Sequence, residues 1–143
     1  MNTEQLTGLE FIQGIVNGKI QNPSISETVP MKMVKAAEGF VEFEVQADNR
    51  HLNPMGGVHG GFAATVLDSV TGCAVHTTLP AMASYATVDL NIKMVKPVPL
   101  NTSLVATGKI ISKSKSLATS EGFLKDSSGK IYAHGTATCI IKM

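Results

Sequence analysis

At 143 residues, with 43% hydrophobic and 16% charged side chains, the chain has the size and make-up of one globular domain with a true core rather than a disordered polymer. Its formal net charge of +1 argues against general nucleic-acid binding, and no apolar run is long enough to span a bilayer. The charge is uneven: residues 1–90 carry four basic and nine acidic side chains, residues 91–143 eight lysines and two acids. The basic half fits either a phosphorylated ligand or lysines that guard edge strands.

The first predicted element is an N-terminal helix, where Leu6, Leu9, Ile12 and Val16 recur at helical spacing, Phe11 and Ile15 widen the stripe, and Asn22-Pro23 ends it. Glu4 and Glu10 break any apolar leader, so no secretory signal and a cytoplasmic location are expected. Residues 28–37 read as a strand, Gly39 as a turn, and Val41, Phe43 and Val45 alternate with Glu42, Glu44 and Gln46 in a half-buried second strand. Residues 48–58 read as loop. Residues 59–77 are nearly all apolar or small, which predicts a buried helix that Leu79-Pro80 stops.

Four strands follow. In the first, Thr87, Asp89, Asn91 and Lys93 alternate with Val88, Leu90, Ile92 and Met94, and Pro97 and Pro99 close the run. The others span about 103–112, 117–125 and 130–141, with Asp126-Ser127-Ser128-Gly129 as a hairpin turn. Cys73 and Cys139 lie in apolar surroundings without metal or disulfide spacing and read as reduced core residues. One buried helix, with two strands before it and four after, predicts a single α+β domain over residues 1–143, an antiparallel sheet curled around the helix. Its two edges predict a dimer with a continuous sheet.

The chemistry concentrates in residues 51–68, His-Leu-Asn-Pro-Met-Gly-Gly-Val-His-Gly-Gly-Phe-Ala-Ala-Thr-Val-Leu-Asp. Gly60 and Gly61 fall where a helix has orphan N–H groups, and glycine lets a ligand carbonyl approach them closely. Alone, such a pair reads as a turn; ahead of a buried helix with a lone acid it reads as an oxyanion site. Asp68 has Ala64, Thr65, Thr71 and Gly72 three and four positions away, hence no local basic partner. A carboxylate so placed suits a general base, the plainer alternative being a buried acid satisfied by a local donor or an interface ion pair. On one helix His59 and Asp68 would be about 13.5 Å apart in rise and about 180° apart in direction, so a site using both must be shared between subunits.

Asn53 offers an N–H₂ to a carbonyl, although Asn53-Pro54 also reads as a turn. His59 suits orienting the loop or the carbonyl better than acting as a base. His51, His76 and His134 read as structural, and Ser69 lies about 100° round the helix from Asp68, no nucleophile–base pair. Pocket walls are expected from Met55, Val58 and Phe62. No Walker loop, dinucleotide fingerprint or zinc signature is present, so no cofactor or metal is expected.

The pattern Asn53-x5-His59-Gly60-Gly61-x6-Asp68, followed by Thr87-Val-Asp-Leu-Asn91 and by Lys115-Ser-Leu…Asp126-x2-Gly129-Lys130-x2-Ala133-x-Gly135-Thr-Ala, resembles the hotdog-fold acyl-CoA thioesterases, closest to the phenylacetate-pathway and THEM-type branch. The resemblance implies hydrolysis of an aryl- or short/medium-chain acyl-CoA to the free acid and CoA. It implies that Asn53, His59 and the Gly60 N–H polarise the thioester carbonyl, with Gly61 beside them. Asp68 from the partner subunit would be base or nucleophile, and Thr87 would help place the water. CoA would lie at the subunit interface of a homodimer, itself pairing into a homotetramer, with Lys115 near the phosphates although Ser114 stands where relatives often have Gly. Two rivals remain: a hotdog acyl-thioester dehydratase or hydratase, whose acid spacing differs, and a non-catalytic acyl-CoA-binding domain, for which 143 residues leave no DNA-reading module.

Overall fold

A capping box starts the first helix, α1 (Gly8–Val16): Thr7 Oγ1 accepts the Glu10 N–H and the Glu10 carboxylate accepts the Thr7 N–H. It ends well before Asn22-Pro23, because Gly18 takes up a left-handed φ of 82°. The computed structural model describes residues 2–143. A short helix, α2 (Ile25–Thr28), runs into the first residue of the expected first strand, and β1 (Met31–Ala37) starts only after Pro30. Strand β2 (Phe40–Val45) follows, then a 3-10 turn at Asn49–His51 inside the expected loop. The long helix α3 (Gly60–His76) has His59 as its N-cap. Strands β3 (Ser84–Met94), β4 (Leu104–Lys113), β5 (Leu117–Lys125) and β6 (Ile131–Lys142) complete the chain.

The strands form one antiparallel sheet in the order β1-β2-β4-β5-β6-β3. It wraps around α3, with α1 packed beside β1 and over the C-terminal end of α3, which is the α+β hotdog arrangement. Among the described residues no helix is long and apolar enough to cross a membrane.

Three glycines let the helix sit this deep. Gly108 pairs with Gly122, and Gly122 with Gly135, so a row without side chains crosses β4, β5 and β6 under α3. A Cβ on Gly108 would collide with the Val70 carbonyl, and one on Gly122 would press on Leu67, Val70 and Thr71 at 3.2 Å. Around the row, Val66, Leu67 and Val70 of α3 are fully buried against Leu104, Ala106 and Leu124. Each such side chain contributes about 1.5–3 kcal/mol. A polar clasp holds the helix there, Ser120 Oγ donating to the Thr71 carbonyl at 3.0 Å while Thr71 Oγ1 donates to the Leu67 carbonyl at 2.7 Å.

One expectation for β3 is corrected. Its pairing with β6 slips between Thr87 and Asp89, leaving Val88 as a bulge that is 57% exposed. Leu90 and Ile92 face the helix as expected, but before the bulge the faces exchange. Tyr85 and Thr87 turn inward, and Thr87 Oγ1 lies 3.7 Å from the Sγ of buried Cys139.

The glycine row predicts that Gly108→Ala destabilises the protein by about 2 kcal/mol or more, since a backbone carbonyl cannot step aside as a side-chain tip can. A urea midpoint unchanged from wild type would show that α3 has room to lift.

Candidate active site

The loop before α3 is built around Asn53. Its Oδ1 accepts the Met55 and Gly57 N–H groups at 2.9 and 3.1 Å, and its own N–H donates to the Gly57 carbonyl at 2.7 Å. With Oδ1 occupied, the Nδ2 group is left without a partner among the described residues. Gly56 supports the turn with a φ of 86°. His51 anchors the loop from below: Nδ1 accepts the Asp48 N–H, Nε2 donates to the Thr28 carbonyl at 2.7 Å, and the ring packs on Phe62. Arg50 bonds both the Asp48 carboxylate and the Glu27 carbonyl, so the loop is tied to α2, and this pairing holds the Asp48 carboxyl well below the usual range.

At the start of α3, His59 Nδ1 accepts the Gly61 N–H at 2.7 Å. A ring nitrogen that accepts carries no proton, so in this neutral ring the proton resides on Nε2. Phe62 N–H donates to the His59 carbonyl, whereas Gly60 N–H has no partner among the described residues. Of the two glycines, then, only Gly60 has a free amide, and the expected contribution of the Gly61 amide is corrected because His59 takes it. Asn53, Val58, His59 and Gly60 line a hollow of about 380 Å³ that continues along Met94, Lys96 and Tyr132.

Asp68 sits elsewhere. Its face of α3 is not enclosed, because the sheet edges β1 and β3 do not meet over it; the helix is therefore not buried all round as its composition implied. Asp68 is exposed, and among the described residues its side chain makes no hydrogen bond or ion pair. With Thr87, Ser69 and Cys73 it borders a second hollow of about 240 Å³, floored by Met33 and Phe43. The structure thus brings Asn53, Val58, His59 and Gly60 together, places Asp68 with Thr87, and separates the two groups within one chain.

Three other expected site residues lie outside both hollows. Met55 is 95% exposed at the loop tip, Phe62 is 3% exposed in the core beneath His51, and Lys115 is exposed in the β4–β5 turn. Pattern reading could not separate Met55 and Phe62 from Val58, since all three are apolar residues flanking the glycines. It missed Tyr85 and Cys73 in the second hollow, and Met94 and Tyr132 in the first. The only signal for Tyr85 was its place two residues before Thr87, and the bulge concealed it.

The second hollow is a poor setting for a thiolate. Burial, helped by the Asp68 charge, pushes the Cys73 thiol up to about 12, and burial also raises the Tyr85 and Cys139 groups. His76, packed between Phe11 and Tyr85, is pushed down by burial and so favours the neutral ring.

A sequence model of the thioesterase superfamily matches residues 55–133. Human acyl-coenzyme A thioesterase 13 is 34% identical over 107 residues, which cover 74% of this chain and 76% of that relative. Its mouse counterpart is 32% identical over the same shares. Among solved structures, a phenylacetic acid degradation-related protein of Ralstonia eutropha superposes with a TM-score of 0.82 at 27% identity, covering 91% of this chain and 98% of that one. Zebra fish thioesterase superfamily member 2 superposes with a TM-score of 0.77 at 25% identity, covering 94% and 98%. The fold and the sequence match together place the chain in the thioesterase class. This chain belongs to the thioesterase superfamily and is a thioester hydrolase.

The raised Cys73 pKa predicts a folded protein whose thiols resist a disulfide reagent at pH 8 and both react in denaturant. Because the native state holds that proton more tightly, the associated stability is complete below about pH 9, the ordinary thiol value, and declines as pH rises toward 12. Fast labelling of the native protein at pH 8 would contradict this environment.

Proposed function

We propose that the chain hydrolyses acyl-CoA thioesters in a site completed by two subunits. The observation that carries this reading is the mismatch within one chain: free donors at Gly60 N–H and Asn53 Nδ2 in one hollow, and an unpartnered carboxylate at Asp68 in another. Each half lacks what the other holds. Edge strand β3, with Met94 and Val95 each 51% exposed, offers an open ladder along which a second copy can pair. A further pairing into a dimer of dimers belongs to the same reading.

In this mechanism the Gly60 N–H, Asn53 Nδ2 and His59 Nε2–H donate to the thioester oxygen. They bind it more tightly as charge develops there, which is what lowers the barrier. Asp68 of the partner subunit takes a proton from water as the water oxygen attacks the carbonyl carbon; the tetrahedral adduct then expels the CoA sulfur, which leaves as the thiol with that proton. In this reading Thr87, which borders the same hollow as Asp68, holds the water or the acid. A base contributes about 10²–10⁴-fold and an oxyanion donor about 10²–10³-fold, together about 5–10 kcal/mol of barrier. Direct attack by Asp68 through an acyl-enzyme anhydride is the variant of the same chemistry. An aryl or short/medium-chain acyl group suits the small apolar hollow beside Asp68.

Asp68→Asn is expected to lower kcat at least about a hundredfold with little change in KM, measured by thiol release from acyl-CoA. Near-normal turnover in a clean preparation refutes the assignment. Mixing Asp68→Ala protein with an Asn53→Ala/His59→Ala double variant is expected to restore up to about a quarter of wild-type activity, since half the dimers are mixed and each has one intact site. Verified mixed dimers that remain inactive refute a shared site.

A further inference from the structure

The apolar gap beside Asp68 has a shape and a charge that distinguish which end of a thioester enters it. Its walls come from both edges of the sheet and from α3: Met31 and Met33 on β1, Phe43 on β2, Gly72 and Cys73 on the helix, Tyr85 on β3. Met33 and Phe43 are 7% and 2% exposed, so the gap ends blind in the core. No lysine or arginine lines it, and its one charge is the Asp68 carboxylate. A phosphate-bearing arm is repelled there, whereas an apolar tail is welcome. The other hollow, which holds the carbonyl donors, has the exposed Lys96 on its rim. The sulfur and acyl substituents of the trigonal thioester carbon diverge on either side of its C=O, so the CoA arm takes the Lys96 side and the acyl group takes the gap.

What bounds the gap on its β3 side is a contact between a missing side chain and a large one. Tyr85 occupies the space in front of Gly72: a Cβ there would stand 3.3 Å from Tyr85 Cε2 and 3.5 Å from its Oη. The ring is held in place from behind by His76, with centroids 5.2 Å apart, and His76 in turn stacks on Phe11 at 5.4 Å. The Val88 bulge is what turns Tyr85 inward at all. The remaining 240 Å³ compares with about 150 Å³ for an apolar cavity that takes one benzene, which scales to about eight to ten carbons.

We propose that the Tyr85–Gly72 contact sets the size of the acyl group that this gap admits, the limit being one aromatic ring or a chain of about eight to ten carbons. Tyr85 is a specificity-determining residue, not a catalytic one. The proposal rests on the hydrolase reading above, and the two fail differently.

The test is the acyl-chain profile of kcat/KM for butanoyl-, octanoyl-, dodecanoyl-, palmitoyl- and phenylacetyl-CoA in wild type, Tyr85→Phe and Tyr85→Ala. Wild type is expected to act on octanoyl- and phenylacetyl-CoA and to lose at least tenfold by palmitoyl-CoA. Tyr85→Phe keeps that profile. Tyr85→Ala raises the palmitoyl-to-octanoyl ratio at least tenfold, and a ratio within one preparation does not depend on the fraction folded. Should Tyr85→Ala not fold, Gly72→Val supplies the converse, losing octanoyl- and phenylacetyl-CoA before butanoyl-CoA. A wild type that prefers palmitoyl-CoA, or a ratio that neither variant moves, overturns the size limit while leaving hydrolysis standing. A wild type that cleaves none of the five overturns the hydrolase reading and this proposal with it.

Discussion

The contact between the Val70–Thr71 turn of α3 and the row Gly108–Gly122–Gly135 governs the rest of the structure. A side chain on Gly108 would meet the Val70 carbonyl and lift the helix, one on Gly122 would press on Leu67, Val70 and Thr71, and one on Gly135 would strike Ile92 and the Asn91 carbonyl of β3. Because the helix rests on bare backbone there, its axis and rotation are both determined, and Ser120 locks the rotation by bonding the Thr71 carbonyl. From that one seating follows which faces of α3 are covered. The stripe with Leu67 and Val70 is dry, and the stripe with Asp68 and Ser69 lies under the unclosed gap between β1 and β3.

The same seating separates the chemical groups. Gly60 begins the helix at one hollow and Asp68 opens, two turns on, into another. For the proposed reaction this separation is an advantage. A carboxylate beside the Gly60 and Asn53 donors in the same chain would accept their hydrogen bonds itself, and no carbonyl would be polarised. Within one chain, donors and acid are each left without a partner among the described residues. The Asn53 side chain shows how the donors are prepared: its oxygen is consumed by two loop amides, which leaves its N–H₂ in a fixed direction and spares the reorganisation a free side chain would need.

Much of this was legible in the residues. The Phe40–Val45 alternation and the apolar run of α3 specified their elements to within a residue or two, the first by its period of two and the second by its length and by Leu79-Pro80 beyond its end. The lone acid on α3 and the glycines before it marked the two candidate faces, and helix geometry alone required them to diverge. What escaped notice depends on contacts far apart in sequence. The glycine row involves three strands whose register no local pattern records. Met55 and Phe62 have the same chemical character as Val58, yet a turn at Gly56 sends one into solvent and His51 draws another into the core. That His59 would consume the Gly61 amide could not be foreseen either, since it depends on the ring's rotamer.

The β3 bulge carries a lesson about insertions. Polar and apolar residues alternate there without interruption, yet the strand changes phase at Val88, so its two halves present opposite sets of side chains to the helix. Pairing Val88 into the ladder would rotate Tyr85 and Thr87 out of the molecule together, whereas losing Val88 would join Thr87 to Asp89 and keep both facing in. The lining of the cleft over α3 therefore hangs on one unpaired residue in an outermost strand, and an unbroken polar–apolar rhythm is no guide to which side chains face the helix.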